Sequence, residues 1–169
     1  MNSFIDQDGM SQIEGILAYY GERQVSAQWR DMLRALADEF DTQLGVPELR
    51  ALMSRIGARF ARAKPLGPCA TLDDVELALN RVWAALDWGW AEIADLSEHL
   101  SVRHFCAPLE GAFGANGAVW ASAFLEGVYQ RWFADLGAGD QLALRQVEPP
   151  PAIDVGGVAK TYYEFQLAR

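Results

Sequence analysis

Few residues in this chain are equipped for chemistry. It holds two histidines, His99 and His104, and two cysteines, Cys69 and Cys106. A metal site needs such ligands converging on one ion. His99 and His104 stand five apart in a stretch that alternates like a strand, and an odd separation puts them on opposite faces. The cysteines are far apart in sequence, fit neither a disulfide framework nor a metal spacing, and read as buried thiols acting as small apolar groups. His104 and Cys106, two apart, form a candidate Cys–His dyad. The plainer alternative is a hydrogen-bonded histidine beside a packed thiol. Asp6-Gln7-Asp8-Gly9 begins like a calcium loop, but Leu17 stands where the bidentate Glu belongs. Asp73 and Asp74 fall at a helix start, where the helix dipole accounts for them. No Gly-rich phosphate loop, Walker lysine or G-x-S-x-G elbow occurs. These residues imply no enzyme, no cofactor and no metal. Binding, sensing or assembly fits better.

The aromatic residues carry more information. Residues 86–93 read LDWGWAEI, with Trp83 just over one helical turn upstream. Trp88 and Trp90, two apart, are expected on the same face of a strand, with Gly89 as the joint between helix and strand. They either cover the seam between sheet and helix or offer rings on which a sugar stacks. Trp120 and Trp132 fall on the core stripe of a later helix, and Tyr129 on that helix is placed to reach an interface.

Composition narrows the partners. The chain has 169 residues, enough for one domain with a real core. Its formal charge of −9 argues against nucleic acid, which is bound by displacing counterions with Lys and Arg, and against anionic membranes. The arginines between Arg50 and Arg62 read as the solvated face of a helix. No apolar run is long enough for a membrane span. The N-terminus lacks the basic n-region of a signal peptide, so a cytoplasmic protein without membrane insertion is expected.

The elements that must position these residues follow from periodicity. Residues 1–25 read as an arm or a short helix around 12–20, the first ten ordered only by a partner or another subunit. Residues 26–169 read as a single α+β domain. Ser26 opens a helix with the stripe Trp29, Met32, Leu33, Leu36 and Phe40. Gly45 and Pro47 separate it from a second helix with the stripe Leu49, Leu52, Met53, Ile56 and Phe60, and the pair reads as an antiparallel hairpin. KPLGPCA at 64–70 is a loop. Thr71 and Asp74 make a capping box for a third helix carrying Leu72, Val75, Leu79, Val82 and Leu86, ended by Gly89. The period then becomes two. Trp88, Trp90, Glu92 and Ala94 alternate with Ala91, Ile93 and Asp95, and residues 100–107 form a partner strand after a short 97–99 link. APLEGAFGANG reads as a loop, 118–136 as a fourth helix closed by Gly137 and Gly139. Residues 141–147 and 159–168 make two further strands around the loop EPPPAIDVGG. The fold class expected is α+β, amphipathic helices packed on an antiparallel sheet of about four strands.

In this order, VELALNRVWAALDWGWAEI, LSVRHFCAPL, WASAFLEGVYQRWF and LALRQV resemble the bacterial cellulose synthase D-subunit family, with LRALMSRIGARFA upstream fitting as well. The similarity covers roughly residues 47–147. It implies a non-enzymatic accessory protein of cellulose synthesis and secretion, assembled as an octamer built from dimers. It further implies internal passageways for glucan chains bounded by the N-terminal segments, which makes Asn2, Ser3 and Phe4 candidate contacts beside Trp88, Trp90 and Tyr129. The partners implied are the cellulose synthase complex and a proline-rich accessory cellulose protein. With no signal peptide, the expected place is the cytoplasmic side of the inner-membrane synthase. The order of elements, with FLEG in the last helix, is also similar to the small ligand-sensing modules of the vinyl-reductase type. Those would need a closed apolar pocket and a dimer.

Overall fold

The computed structural model describes residues 15, 19–21, 23–139, 142–147 and 162–168. Residues 19–21 are helical and precede α1 (Ala27–Gln43), α2 (Val46–Ala63) and α3 (Leu72–Ala85). Strands β1 (Trp90–Leu96) and β2 (His99–Phe105) follow, then α4 (Leu109–Ala121) and α5 (Ala123–Phe133). A π-helical turn over Ala134–Ala138 leads to β3 (Ala143–Val147) and β4 (Tyr162–Ala168). The α+β class holds, with the helices against one four-stranded antiparallel sheet of order β1-β2-β4-β3.

Register explains which residues meet. Ala91, His104 and Tyr163 share one row across the sheet, and Ile93, Val102 and Phe165 the next. These rows face the helices, and Ala91, Val102, His104 and Phe165 are buried. The alternate rows, Trp90-Phe105-Tyr162 and Glu92-Arg103-Glu164, lie on the other face. Side chains alternate across a strand, so one register fixes both faces together.

The helices depart from the expected hairpin. α1 packs on α4 and α2 packs on α5, and the two neighbours in sequence do not form a packed pair. The reason lies in α2, whose buried line keeps Leu49 and Met53 of its apolar stripe but continues through the small residues Gly57 and Ala61. Ile56, from that stripe, is 41% exposed. A Cβ at Gly57 would run into the Phe124 carbonyl, and one at Gly127 into the Ser54 carbonyl. Two glycines on facing helices thus let the α2 and α5 backbones touch. α1 buries Ala37 and leaves Trp29, Met32 and Leu36 exposed.

Residues 107–117 are a second correction. Most of this Gly-rich stretch is helical, as α4 begins at Leu109 and is interrupted only where Gly114 takes φ 75°. Ser122, fully buried, then divides the expected single helix into α4 and α5. Arg50 ties this junction to the rest. Its guanidinium donates to the Val119 carbonyl, Ser122 Oγ, Gln146 Oε1 and Glu126 Oε2, the last at 2.7 Å. The capping box forms as expected. The Asp74 amide donates to Thr71 Oγ1, and the Ala70 and Thr71 amides donate to Asp74 Oδ2; the Thr71 side chain first, then these two amides, hold that carboxyl below its usual range. The strands at the C-terminal end pair as expected where described. The loop between them lies outside the described residues.

Candidate functional site

The LDWGW segment divides between two environments. α3 ends at Ala85, before the expected Gly89, and Asp87 takes φ 56°. Gly89 follows at φ 75°, where a Cβ would collide with the Phe105 carbonyl of β2. The chain reverses its facing across this glycine, so Trp88 and Trp90 do not share a face. Trp88 precedes the strand and enters the core, its ring stacked on Trp83 at 5.8 Å and against Phe124 at 5.2 Å. Trp90 opens β1 on the opposite face, 46% exposed. The period-two expectation fails here because the strand starts two residues later than the alternation suggests.

The inner cluster is closed. Phe60 also stacks on Trp83 at 5.8 Å, and Trp132 and Tyr129 pack against the same indole. Tyr129, expected at an interface, is instead completely buried, because its hydroxyl and ring are taken up by His104, Trp83 and Trp132 inside the core. Below the rings, His104 Nε2 donates to the Trp88 carbonyl at 2.7 Å, and the Tyr129 hydroxyl donates to Nδ1 at 2.6 Å. A carbonyl can only accept, so the imidazole is the neutral Nε2–H tautomer. Burial pushes its pKa down to about 4, opposed by the bond to the Trp88 carbonyl. Burial pushes the Tyr129 phenol well up. Cys106 is exposed, just past the end of β2 with φ 58°, and the two ring nitrogens of His104 are already engaged. The candidate dyad is therefore absent, and His104 is a structural histidine. The layer that a sensor module would hollow out is filled here ring on ring. Among the described residues no group of three or more His, Cys, Asp or Glu side chains is placed to hold a metal.

The outer face offers a surface. Trp90 stacks on Phe105 at 5.1 Å with an interplanar angle of 11°, and Phe105 meets Tyr162 at 5.4 Å. Three strands in register thus place three rings in one row. The next row is polar. Arg103 reaches over the Tyr162 ring and lies 3.5 Å from Glu164, which also accepts from Ser101 Oγ at 2.8 Å, while Glu92 is exposed. A ring with a free face beside carboxylates and a guanidinium can hold a ligand that is apolar on its flat faces and hydroxylated at its rim. Sequence reasoning found Trp90 but not Phe105 or Tyr162. Their alternation placed them on strands, but nothing local fixes which strands are neighbours. Asn2, Ser3 and Phe4 lie outside the described residues, as do the Asp6–Asp8 pair and the first ten residues of the arm.

Three side chains that sequence reasoning missed close the sheet. Asn80 of α3 donates to the Ala91 carbonyl and accepts from its amide, both at 2.8 Å. Glu76 accepts from the Ile93 amide at 2.7 Å. On the other edge, Gln130 of α5 accepts from the Leu144 amide at 2.5 Å and donates to the Leu142 carbonyl at 3.0 Å. Each edge strand is thus covered by an amide side chain.

With this geometry in place, comparison with known proteins is decisive. The chain matches the cellulose synthase D-subunit family over residues 15–153. It belongs to that family. A cellulose synthase operon protein D of Komagataeibacter xylinus is 32% identical over 120 residues, spanning 69% of this chain and 77% of the relative. The protein of the same name from Komagataeibacter sucrofermentans is 30% identical over the same shares. Membership gives the chain a role in cellulose synthesis. No helix among the described residues is long and apolar enough to cross a membrane.

Proposed function

We propose that this protein is a non-catalytic scaffold that organises cellulose synthase complexes, or the glucan chains they extrude, for crystalline cellulose assembly. The family match over residues 15–153 carries the reading. The engaged, buried His104 supports it by removing the one candidate dyad. On this reading the protein works as a homo-oligomer, an octamer built from dimers, on the cytoplasmic side of the inner-membrane synthase, with a proline-rich accessory protein as partner. Residues 1–25 act as an arm on a single domain formed by 26–169. Asn2, Ser3 and Phe4 line the path of a glucan, and Trp90 supplies the stacking face, backed by Phe105. Native mass in solution, by light scattering, is the first test. An assembly of about eight copies supports the scaffold, and a stable monomer overturns it. Deleting residues 1–11 should leave the fold intact and disorder the cellulose fibres. Normal crystallinity in that deletion strain would remove the arm from the mechanism.

A further inference from the structure

Two exposed helix faces carry the same spacing with opposite charge. On α1, Met32, Leu36 and Glu39 fall at i, i+4 and i+7, with Trp29 one turn before Met32. On α2, Leu52, Ile56 and Arg59 fall at the same intervals. Residues at this spacing share one side of a helix. Met32 is 49% exposed, Leu36 36% and Ile56 41%, while Leu52 is partly covered. Glu39 and Arg59 are exposed and make no ion pair among the described residues. The surroundings extend the contrast. Asp31 and Asp38 outnumber the exposed Arg34 on α1, and Arg55 and Arg62 outnumber Glu48 on α2. Within one copy these rows do not meet, because α1 and α2 pack on different helices.

We propose that the Met32–Leu36–Glu39 row of one copy packs, in parallel alignment, on the Leu52–Ile56–Arg59 row of a second copy, pairing Glu39 with Arg59. The inference rests on the homo-oligomer reading above and specifies its interface. A two-fold axis repeats the contact, so that each copy gives one acidic and one basic row and no row is left open. Apolar residues at the centre with charges at the rim is the usual anatomy of such an interface. Complementary charge selects the α1-to-α2 pairing over α1-to-α1 or α2-to-α2, which would oppose like charges. The sheet edges are poorer candidates for this role, since Asn80 and Gln130 already occupy backbone groups of Ala91, Leu142 and Leu144 there.

The experiment is a charge exchange read by sedimentation or light scattering over a range of protein concentration. Glu39→Arg and Arg59→Glu should each weaken association by about tenfold or more, because each opposes like charges across the interface. Each side chain is exposed and outside any ion pair of the described residues, so circular dichroism and melting temperature of the dilute protein should match wild type. Mixing the two variants should restore assembly as mixed species only, as should the double exchange within one chain. If wild type assembles and neither substitution weakens it, or mixing fails to restore it, this interface is overturned while the oligomer reading stands. If wild type is a monomer at every concentration, both fall together, and that result is visible before any variant is made.

Discussion

The Tyr129 hydroxyl donates to His104 Nδ1 at 2.6 Å, and this bond fixes the imidazole as a neutral acceptor inside the core. Protonation would turn that acceptor into a second donor facing a hydroxyl hydrogen, with the new charge held among aromatic rings. The folded pKa of about 4 lies below the value of 6.5 for a free side chain. The unfolded chain therefore binds the proton more readily between those values. Stability is fully present above pH 6.5 and declines as pH falls toward 4, by about 3 kcal/mol for this group. Urea titrations from about pH 7 to 4.5 should follow that slope, and His104→Asn should flatten it. A wild-type slope equal to the variant's would assign the pH dependence elsewhere. Tyr129→Phe should lose about 1–3 kcal/mol near neutral pH, since it leaves the Nδ1 lone pair buried and unpaired.

The α2–α5 crossing rests on backbone contact. Gly127→Ala sets a methyl into the Ser54 carbonyl and forces the helices apart, displacing Phe60, which Trp83 stacks on and Phe124 packs against. A loss of about 1–3 kcal/mol or more is expected. Gly21→Ala is the control. It is helical, and nothing lies within 4 Å of the added methyl. That change should be neutral or stabilise by about 0.4–1 kcal/mol through the unfolded state. Equal melting temperatures for the two variants would contradict the close crossing.

Trp88 and Trp90 separate stability from ligand contact. Trp88→Ala removes a ring stacked on Trp83 and should cost about 3–5 kcal/mol, lessened by its partial exposure. Trp90→Ala deletes a ring 46% exposed and should change stability little. If Trp90 is a stacking face, its loss should weaken retention on soluble β-glucan by about fivefold or more, from the 1–3 kcal/mol typical of stacking on an aromatic face. Unchanged retention with an intact fold would move glucan contact away from this face.

Periodicity made much of the fold legible, because it reports which side of an element is buried. It placed Val75 and Leu79 on one stripe of α3 and Trp120 and Trp132 on the core stripe of the later helical segment, and all four are buried. It failed where burial was achieved by small residues. The stripe of α2 takes in Leu52 and the exposed Ile56, whereas the close backbone approach is at Gly57, and a sequence window gives glycine no weight as a packing residue. It failed again at 107–117, where glycine content reads as loop although only Gly114 uses the freedom. At the site, Trp90 was legible as an aromatic of interest. The row it forms with Phe105 and Tyr162 was not, since β4 lies beyond a long connection and register is a tertiary property. The exposed faces of α1 and α2 were hidden for the same reason. Both read as halves of one hairpin until their different packing partners were known.

The edge amides make the last prediction. An uncovered edge strand displays a row of free amides and carbonyls that a second sheet can extend. Here Asn80 satisfies both backbone groups of Ala91, and Gln130 does the same for Leu144 and Leu142. Asn80→Leu keeps the side chain's approximate size but leaves both groups of Ala91 bare, with Glu76 still holding Ile93. Gln130→Met does the same on β3. Each variant should lose about 1–3 kcal/mol per group left buried and unpaired. The double variant should also aggregate with rising β-sheet signal under conditions where wild type stays in defined assemblies. Thioflavin binding and light scattering at matched concentration would follow it. The α1 and α2 faces are untouched by these substitutions, so defined assembly and edge aggregation should vary independently. A double variant that loses stability without aggregating would mean that β1 and β3 are too short or too twisted to template a partner, and that the amides serve stability alone.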